Sequence, residues 1–205
     1  MARSAAVDAH DGLSGFDHRR SLPCVRVVAG DLRGRRIESP VGDATRPTTD
    51  KVREAVFNAL GSLDVVDGAR VLDLFAGTGA MGIEALSRGA AHCVFVESDR
   101  AALAVLRRNI DALGLADRST VVAGDAHSLT VHHRAADLAI ADPPYGYSTW
   151  GRLLATVSSR FVVLESDREI GDVDGWDTVR EKKYGRTHVS FLRPRGSADG
   201  TVEGE

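Results

Sequence analysis

The chain has 205 residues, 43% of them apolar, and a formal net charge of −3, which suits one compact domain with a substantial core and excludes wholesale disorder. No apolar run approaches the roughly 20 residues that span a bilayer, and residues 1–22 lack the apolar centre of a secretory signal, so a cytoplasmic protein with no membrane partner is expected. Cys24 and Cys93 make neither a disulfide framework nor a metal-ligand spacing, and the scattered histidines, His132-His133 among them, fit solvated loops better than a metal site.

Residues 1–22 and 196–205 are poor in apolar residues and read as disordered ends. Residues 23–64 form a basic segment. There Val25–Ala29 and Arg35–Ile37 predict a hairpin turned at Asp31-Leu32-Arg33-Gly34. The loop Thr45–Asp50 then leads into a helix that Thr49 or Asp50 can cap, with Val52, Ala55, Val56, Ala59, Leu60 and Leu63 at helical spacing. Residues 65–195 alternate between strand and helix. Val71–Phe75, Cys93–Val96, Thr120–Ala123, Leu138–Ala141 and Phe161–Leu164 predict short buried strands. Helices are predicted at Ala80–Leu86, at Arg100–Leu113 with a stop at Gly114, and from about Thr149 to Val157. Trp176–Lys183 and Thr187–Leu192, joined at Tyr184-Gly185-Arg186, predict a closing antiparallel hairpin. The alternation implies an α/β fold with a doubly wound, mostly parallel sheet.

Ligands in such sheets bind at the carboxyl ends of the strands. The first strand runs into Phe75-Ala76-Gly77-Thr78-Gly79, whose glycines allow a tight turn and close backbone approach. Gly77, Gly79 and Gly82 also satisfy the dinucleotide pattern G-x-G-x-x-G, with Glu97 about twenty residues on. Two cofactor classes use such a loop, and Asp73 separates them. A pyrophosphate prefers a helix N-terminus free of carboxylates, whereas the cationic methionine end of S-adenosylmethionine is attracted to one. A buried Asp73 that merely caps loop amides is the alternative. Glu97, with Ser98 beside it, ends the second strand where a carboxylate can accept both ribose hydroxyls. Asp125, with Ala126, follows the third strand, where it can accept from an adenine amino group.

Asp142-Pro143-Pro144-Tyr145 closes the fourth strand. An exocyclic amine on a nucleic-acid base is a poor nucleophile because its lone pair is delocalised into the ring. Acceptors on both of its N–H bonds draw the nitrogen towards tetrahedral geometry, and the Asp142 carboxylate and Pro143 carbonyl can supply them on a turn that the prolines stiffen. Asp142 can also face the cofactor, and Tyr145 offers a flat face to an extruded base, worth roughly 1–3 kcal/mol. A rigid loop that simply ends a strand is the bland alternative.

These spaced motifs resemble the class I methyltransferases that modify amino groups. The run Arg26-Val27-Val28-Ala29-Gly30, Gly34-Arg35-Arg36-Ile37 and Thr45–Glu54 resembles the RsmD family of 16S ribosomal RNA guanine-N2 methyltransferases. The resemblance covers about residues 25–193. It implies a Rossmann-like, seven-stranded sheet with an antiparallel C-terminal hairpin and a small N-terminal hairpin and helix extension. It also implies S-adenosylmethionine as cofactor, the small ribosomal subunit or its assembly intermediate as partner, and an N-terminal hairpin that flanks the active site; a monomer is expected, although the sequence does not fix the oligomeric state. Leu74-Phe75-Ala76 and Gly146-Tyr147 read as ordinary variation within the motifs. Charge segregation fits an RNA partner: residues 19–53 hold nine bases against four acids and residues 180–195 six against one, while residues 54–179 hold ten against eighteen. Arg33, Arg35, Arg36, Arg46, Thr48, Lys182, Lys183 and Arg186 are the candidate RNA contacts, with Arg53 assigned to the cofactor or to bracing its helix. A DNA adenine-N6 methyltransferase uses the same Asp-Pro-Pro-Tyr chemistry but carries a larger recognition region than the sixty residues that follow Tyr145. A protein glutamine methyltransferase has Asn in place of Asp142. A nicotinamide-dependent oxidoreductase explains the glycines and Glu97 but leaves Asp73, Asp125 and Asp142 without a task.

Overall fold

A computed structural model describes residues 24–39, 50–128 and 135–197. Arg46, Thr48, the Thr49 cap, the His132-His133 pair, residues 1–22 and most of the C-terminal tail lie outside the described residues.

Strands β3 (Arg70–Leu74), β4 (His92–Glu97), β5 (Ser119–Ala123), β6 (Ala135–Ala141), β7 (Ser158–Ser166), β8 (Trp176–Tyr184) and β9 (Thr187–Pro194) form one seven-stranded sheet in the order β5-β4-β3-β6-β7-β9-β8. The first five run parallel, and β9 inserts antiparallel between β7 and β8. A separate two-stranded hairpin, β1 (Cys24–Arg26) with β2 (Arg36–Glu38), lies outside the sheet. The predicted α/β architecture is what the chain adopts.

Strand alternation sorts the core into two layers. Val71, Cys93, Phe95, Leu138, Ile140, Val163 and Phe191 face one side. There they meet α1 (Asp50–Ser62), α2 (Ala80–Ser87), α3 (Arg100–Leu113) and the apolar side of the hairpin, Val25, Val27 and Ile37. Leu72, Leu74, Val94, Val96, Ala139, Val162 and Leu164 face the other side, under Trp150, Leu153, Leu154 and Trp176. α3 shows why these sequences fold this way. Leu103, Leu106, Ile110 and Leu113 recur on one buried stripe, Asp99 caps the start by accepting from Ala102 N at 2.8 Å, and Gly114 ends it in the left-handed region.

Two predicted elements are shorter: the first hairpin strand, expected over Val25–Ala29, is Cys24–Arg26. The helix expected to run to Val157 is only α4, Trp150–Leu154. Thr156 and Val157 close it with tightened bonds to Leu153 O and Leu154 O, and Thr156 Oγ1 also donates to Leu153 O at 2.7 Å. β-Branched residues at the mouth of β7 favour extended chain over another helical turn.

Candidate active site

The chain order reverses between β3 and β6, which are hydrogen-bonded neighbours with Leu74 opposite Ala141. Such a switch point opens a crevice at the carboxyl edge. The glycine loop and Asp142-Pro143-Pro144-Tyr145 leave the sheet side by side there. Glu97 and Ala123 are paired one strand further on, so Asp125 emerges at the same edge.

At the end of β3 the backbone turns sharply. Phe75 has φ +60°, uncommon for a residue with a side chain, and Ala76 N–H donates to Val96 O at 2.9 Å. Gly79, at φ +87°, starts α2. The Asp73 side chain points beneath α2, is 2% exposed, and accepts from Gly82 N–H at 2.8 Å. Gly82 makes that contact possible: a Cβ there would lie 2.9 Å from Asp73 Oδ2 and 2.3 Å from the Phe95 ring. Burial pushes the Asp73 carboxyl up to about 7; the Gly82 bond opposes this, and the charges of Asp142 and Glu97 add to it. Cys93, free and buried beside Asp73, has its thiol pushed well up by the same burial.

Glu97 accepts three backbone bonds, from Gly77 N at 2.7 Å, Ser98 N at 2.8 Å and Asp99 N at 2.7 Å. Its carboxylate thus links the glycine loop to the start of α3 while keeping lone-pair capacity. Asp125 is exposed and accepts from His127 N at 2.6 Å, with Ala126 buried beneath. Asp142 is half-buried, Pro143 buried, Pro144 exposed and Tyr145 59% exposed. The edge therefore offers the carboxylates of Glu97, Asp125 and Asp142, one open aromatic face and a glycine turn, with Asp73 buried behind them. Among the described residues no three His, Cys, Asp or Glu groups gather as a metal site.

The basic candidates divide. Ser166 pairs with His188, and His188 with Lys183, so the β8–β9 tip with Lys182, Lys183 and Arg186 stands at the carboxyl edge of the parallel strands. The other hairpin sits differently. Asp31 N–H donates to Ser87 O, at the far end of α2, and the exposed Arg35 donates to Ala112 O near the end of α3. Among the described residues of this segment, Glu38, past the exposed Arg33 and Arg36, is tied to the glycine loop: Asn109 Nδ2 donates to Glu38 O and to Thr78 O. Arg53 is fully buried and donates to Glu84, Asp50 and Arg26 O, so it braces α1 against α2 and the hairpin.

Residues 25–193 match the family model described as Conserved hypothetical protein 95. YlbH of Bacillus subtilis, an rRNA methyltransferase by name, is 37% identical over 84% of this chain and 100% of its own length. The chain belongs to the RsmD family of methyltransferases. Ribosomal RNA small subunit methyltransferase D of Escherichia coli is 39% identical over 59% of this chain and 60% of its own. The solved structure of the Escherichia coli protein yhhF, a methyltransferase by name, superposes with a TM-score of 0.73 at 32% identity, covering 83% of this chain and 98% of that one.

Sequence reasoning passed over Tyr147, His127 and Asn109. Tyr147 contacts Phe75, His127 and Trp150, and Asn109, 2% exposed, joins the hairpin to the glycine loop. An unpaired Asn on the apolar stripe of α3 was the available signal for the last.

Proposed function

We propose that this protein transfers a methyl group from S-adenosylmethionine to the exocyclic N2 of a guanine in the 16S rRNA of the small ribosomal subunit. The observation that carries the reading is the pairing of β3 with β6, which sets the carboxylate-lined glycine loop directly beside Asp142-Pro143-Pro144-Tyr145. A pyrophosphate fits this loop poorly. Two of its amides, Gly77 and Gly82, already serve Glu97 and Asp73, and the local charge is negative. A sulfonium and an ammonium suit the same charge.

When bound, the cofactor supplies an electrophilic methyl group. Asp73 and the turn Phe75–Gly79 hold its methionine end, Glu97 the ribose hydroxyls, and Asp125 with Ala126 the adenine. The target base stacks on Tyr145. The Asp142 carboxylate and Pro143 carbonyl accept the two amine hydrogens and expose the nitrogen lone pair, and Asp142 takes the proton released. Positioning supplies much of the rate, through effective molarities of about 10⁵–10⁸ M. Lys182, Lys183 and Arg186 grip phosphates beside the catalytic edge. The names borne by the Bacillus subtilis and Escherichia coli relatives support an rRNA substrate.

The test is label transfer from S-adenosylmethionine to small subunits isolated from cells lacking this protein, followed by nucleoside analysis. Label should appear in N2-methylguanosine, and Asp142→Ala should lower transfer by at least about a hundredfold, with cofactor affinity within a few-fold. Label in N6-methyladenine of added DNA would keep the mechanism and replace the substrate. A melting temperature raised by a nicotinamide nucleotide and not by S-adenosylhomocysteine would replace the cofactor.

A further inference from the structure

The residues that follow Tyr145 make contacts that the chemistry above leaves unused. Tyr147 Oη lies 3.0 Å from Nε2 of His127, and the two rings stack with centroids 6.0 Å apart. Tyr147 also meets Phe75 edge-on at 5.4 Å and Trp150 at 4.6 Å. Phe75 follows β3, His127 follows β5 and Tyr147 follows β6. In the sheet, β4 and β3 stand between β5 and β6, so the His127–Tyr147 contact bridges over the ends of both.

Each partner is also tied to a candidate site group through the backbone. His127 N–H donates to the Asp125 carboxylate at 2.6 Å, and Tyr147 N–H donates to Pro144 O at 3.3 Å. The hydroxyl–imidazole bond therefore joins the turn proposed for adenine to the turn proposed for the target base.

We propose that Tyr147 and His127 form a clasp across the cleft, which fixes the spacing between the Asp125 turn and the Asp142–Tyr145 turn. The inference rests on the functional reading above. In-line transfer needs reacting atoms about 3–3.5 Å apart, and small displacements are costly. Here the two reactants sit on separate turns, so holding the turns in register holds the reactants in register. Tyr147 and His127 act through the groups they hold and are positioning residues.

Tyr147→Phe keeps the ring contacts and removes only the hydroxyl. It should raise KM for S-adenosylmethionine about twofold and lower kcat about threefold, a loss in kcat/KM of about sixfold, as expected for one lost hydrogen bond, with a nearly unchanged melting temperature. His127→Gln places an amide nitrogen near the Nε2 position and should keep wild-type kinetics. His127→Asn places it near Nδ1 and should match Tyr147→Phe. Wild-type KM and kcat in Tyr147→Phe overturn the clasp, as do equal kinetics in the Gln and Asn variants, which also decide the matter if Tyr147→Phe misfolds. Wild-type protein that binds no S-adenosylmethionine overturns the functional reading, and the clasp with it.

Discussion

The Asp73 carboxyl lies under α2, with the Gly82 N–H donating to it and Cys93 and the Phe95 ring beside it. It keeps its proton up to about pH 7 in the fold, against 3.8 for an ordinary aspartate. Between those values the folded chain binds a proton that the unfolded chain has released. Stability therefore falls as pH rises from about 4 to about 7, and then levels off. Asp73→Asn stays neutral and can still accept from Gly82, so it should melt several degrees above wild type at pH 8 and level with it near pH 4. Equal melting at pH 8 would show that the carboxyl ionises in the fold without penalty. The same substitution should weaken S-adenosylmethionine binding, and wild-type affinity should rise with pH until Asp73 is ionised. Stability given up at this position fits a residue kept for a cation. The sequence carried the presence of this aspartate but not its burial, because Gly82 and Phe95 enclose it only once α2 packs on β3 and β4.

Glu84 on α2 holds the N-terminal hairpin in place. Its buried carboxylate accepts from Val28 N at 2.7 Å, Ala29 N at 3.0 Å, Arg88 Nε at 2.7 Å and the fully buried Arg53 Nε at 3.4 Å. Glu84→Gln leaves the buried Arg53 with the more exposed Asp50, at 2.9 Å, as its countercharge, a loss of up to about 3 kcal/mol. The denaturant midpoint should fall accordingly, and the Val28 and Ala29 amides should exchange faster than the sheet. Arg108–Glu38 is the control: both side chains are 58% exposed at 3.1 Å, and Arg108→Ala should cost under about 1 kcal/mol. A midpoint unchanged in Glu84→Gln would demote this cluster to surface-like electrostatics. At this scale the sequence was most legible. Strand and helix alternation follows from apolar periodicity, and α3 keeps its predicted bounds because Asp99 and Gly114 are local signals. α4 was overestimated because its end is set by β7. The docking of the hairpin on Glu84 was illegible, since partners 55 and 56 residues apart leave no local pattern.

For the whole molecule, the two basic flanks seen in the composition are not equivalent. The β8–β9 tip rises from the same edge as Asp142, because β9 returns antiparallel beside β7 and carries the turn back to the carboxyl ends. The turn of the N-terminal hairpin rests against the far end of α2, and Arg35 already donates to Ala112 O at 3.0 Å. Charge counting along the chain cannot separate these cases, because strand direction decides which end of a hairpin meets the site. A polyanion seated over Tyr145 therefore reaches Lys182, Lys183 and Arg186 before it reaches Arg33 or Arg35. Replacing the first three with Ala should weaken RNA binding and flatten the dependence of log K on log salt by roughly 0.7–0.9 per lost phosphate contact. Replacing Arg33 and Arg35 should change that slope less. Titrating both variants with the same RNA across a salt series separates the two surfaces: a steeper loss from Arg33 and Arg35 would mean that the RNA wraps the α2 and α3 ends and crosses the catalytic edge only in passing.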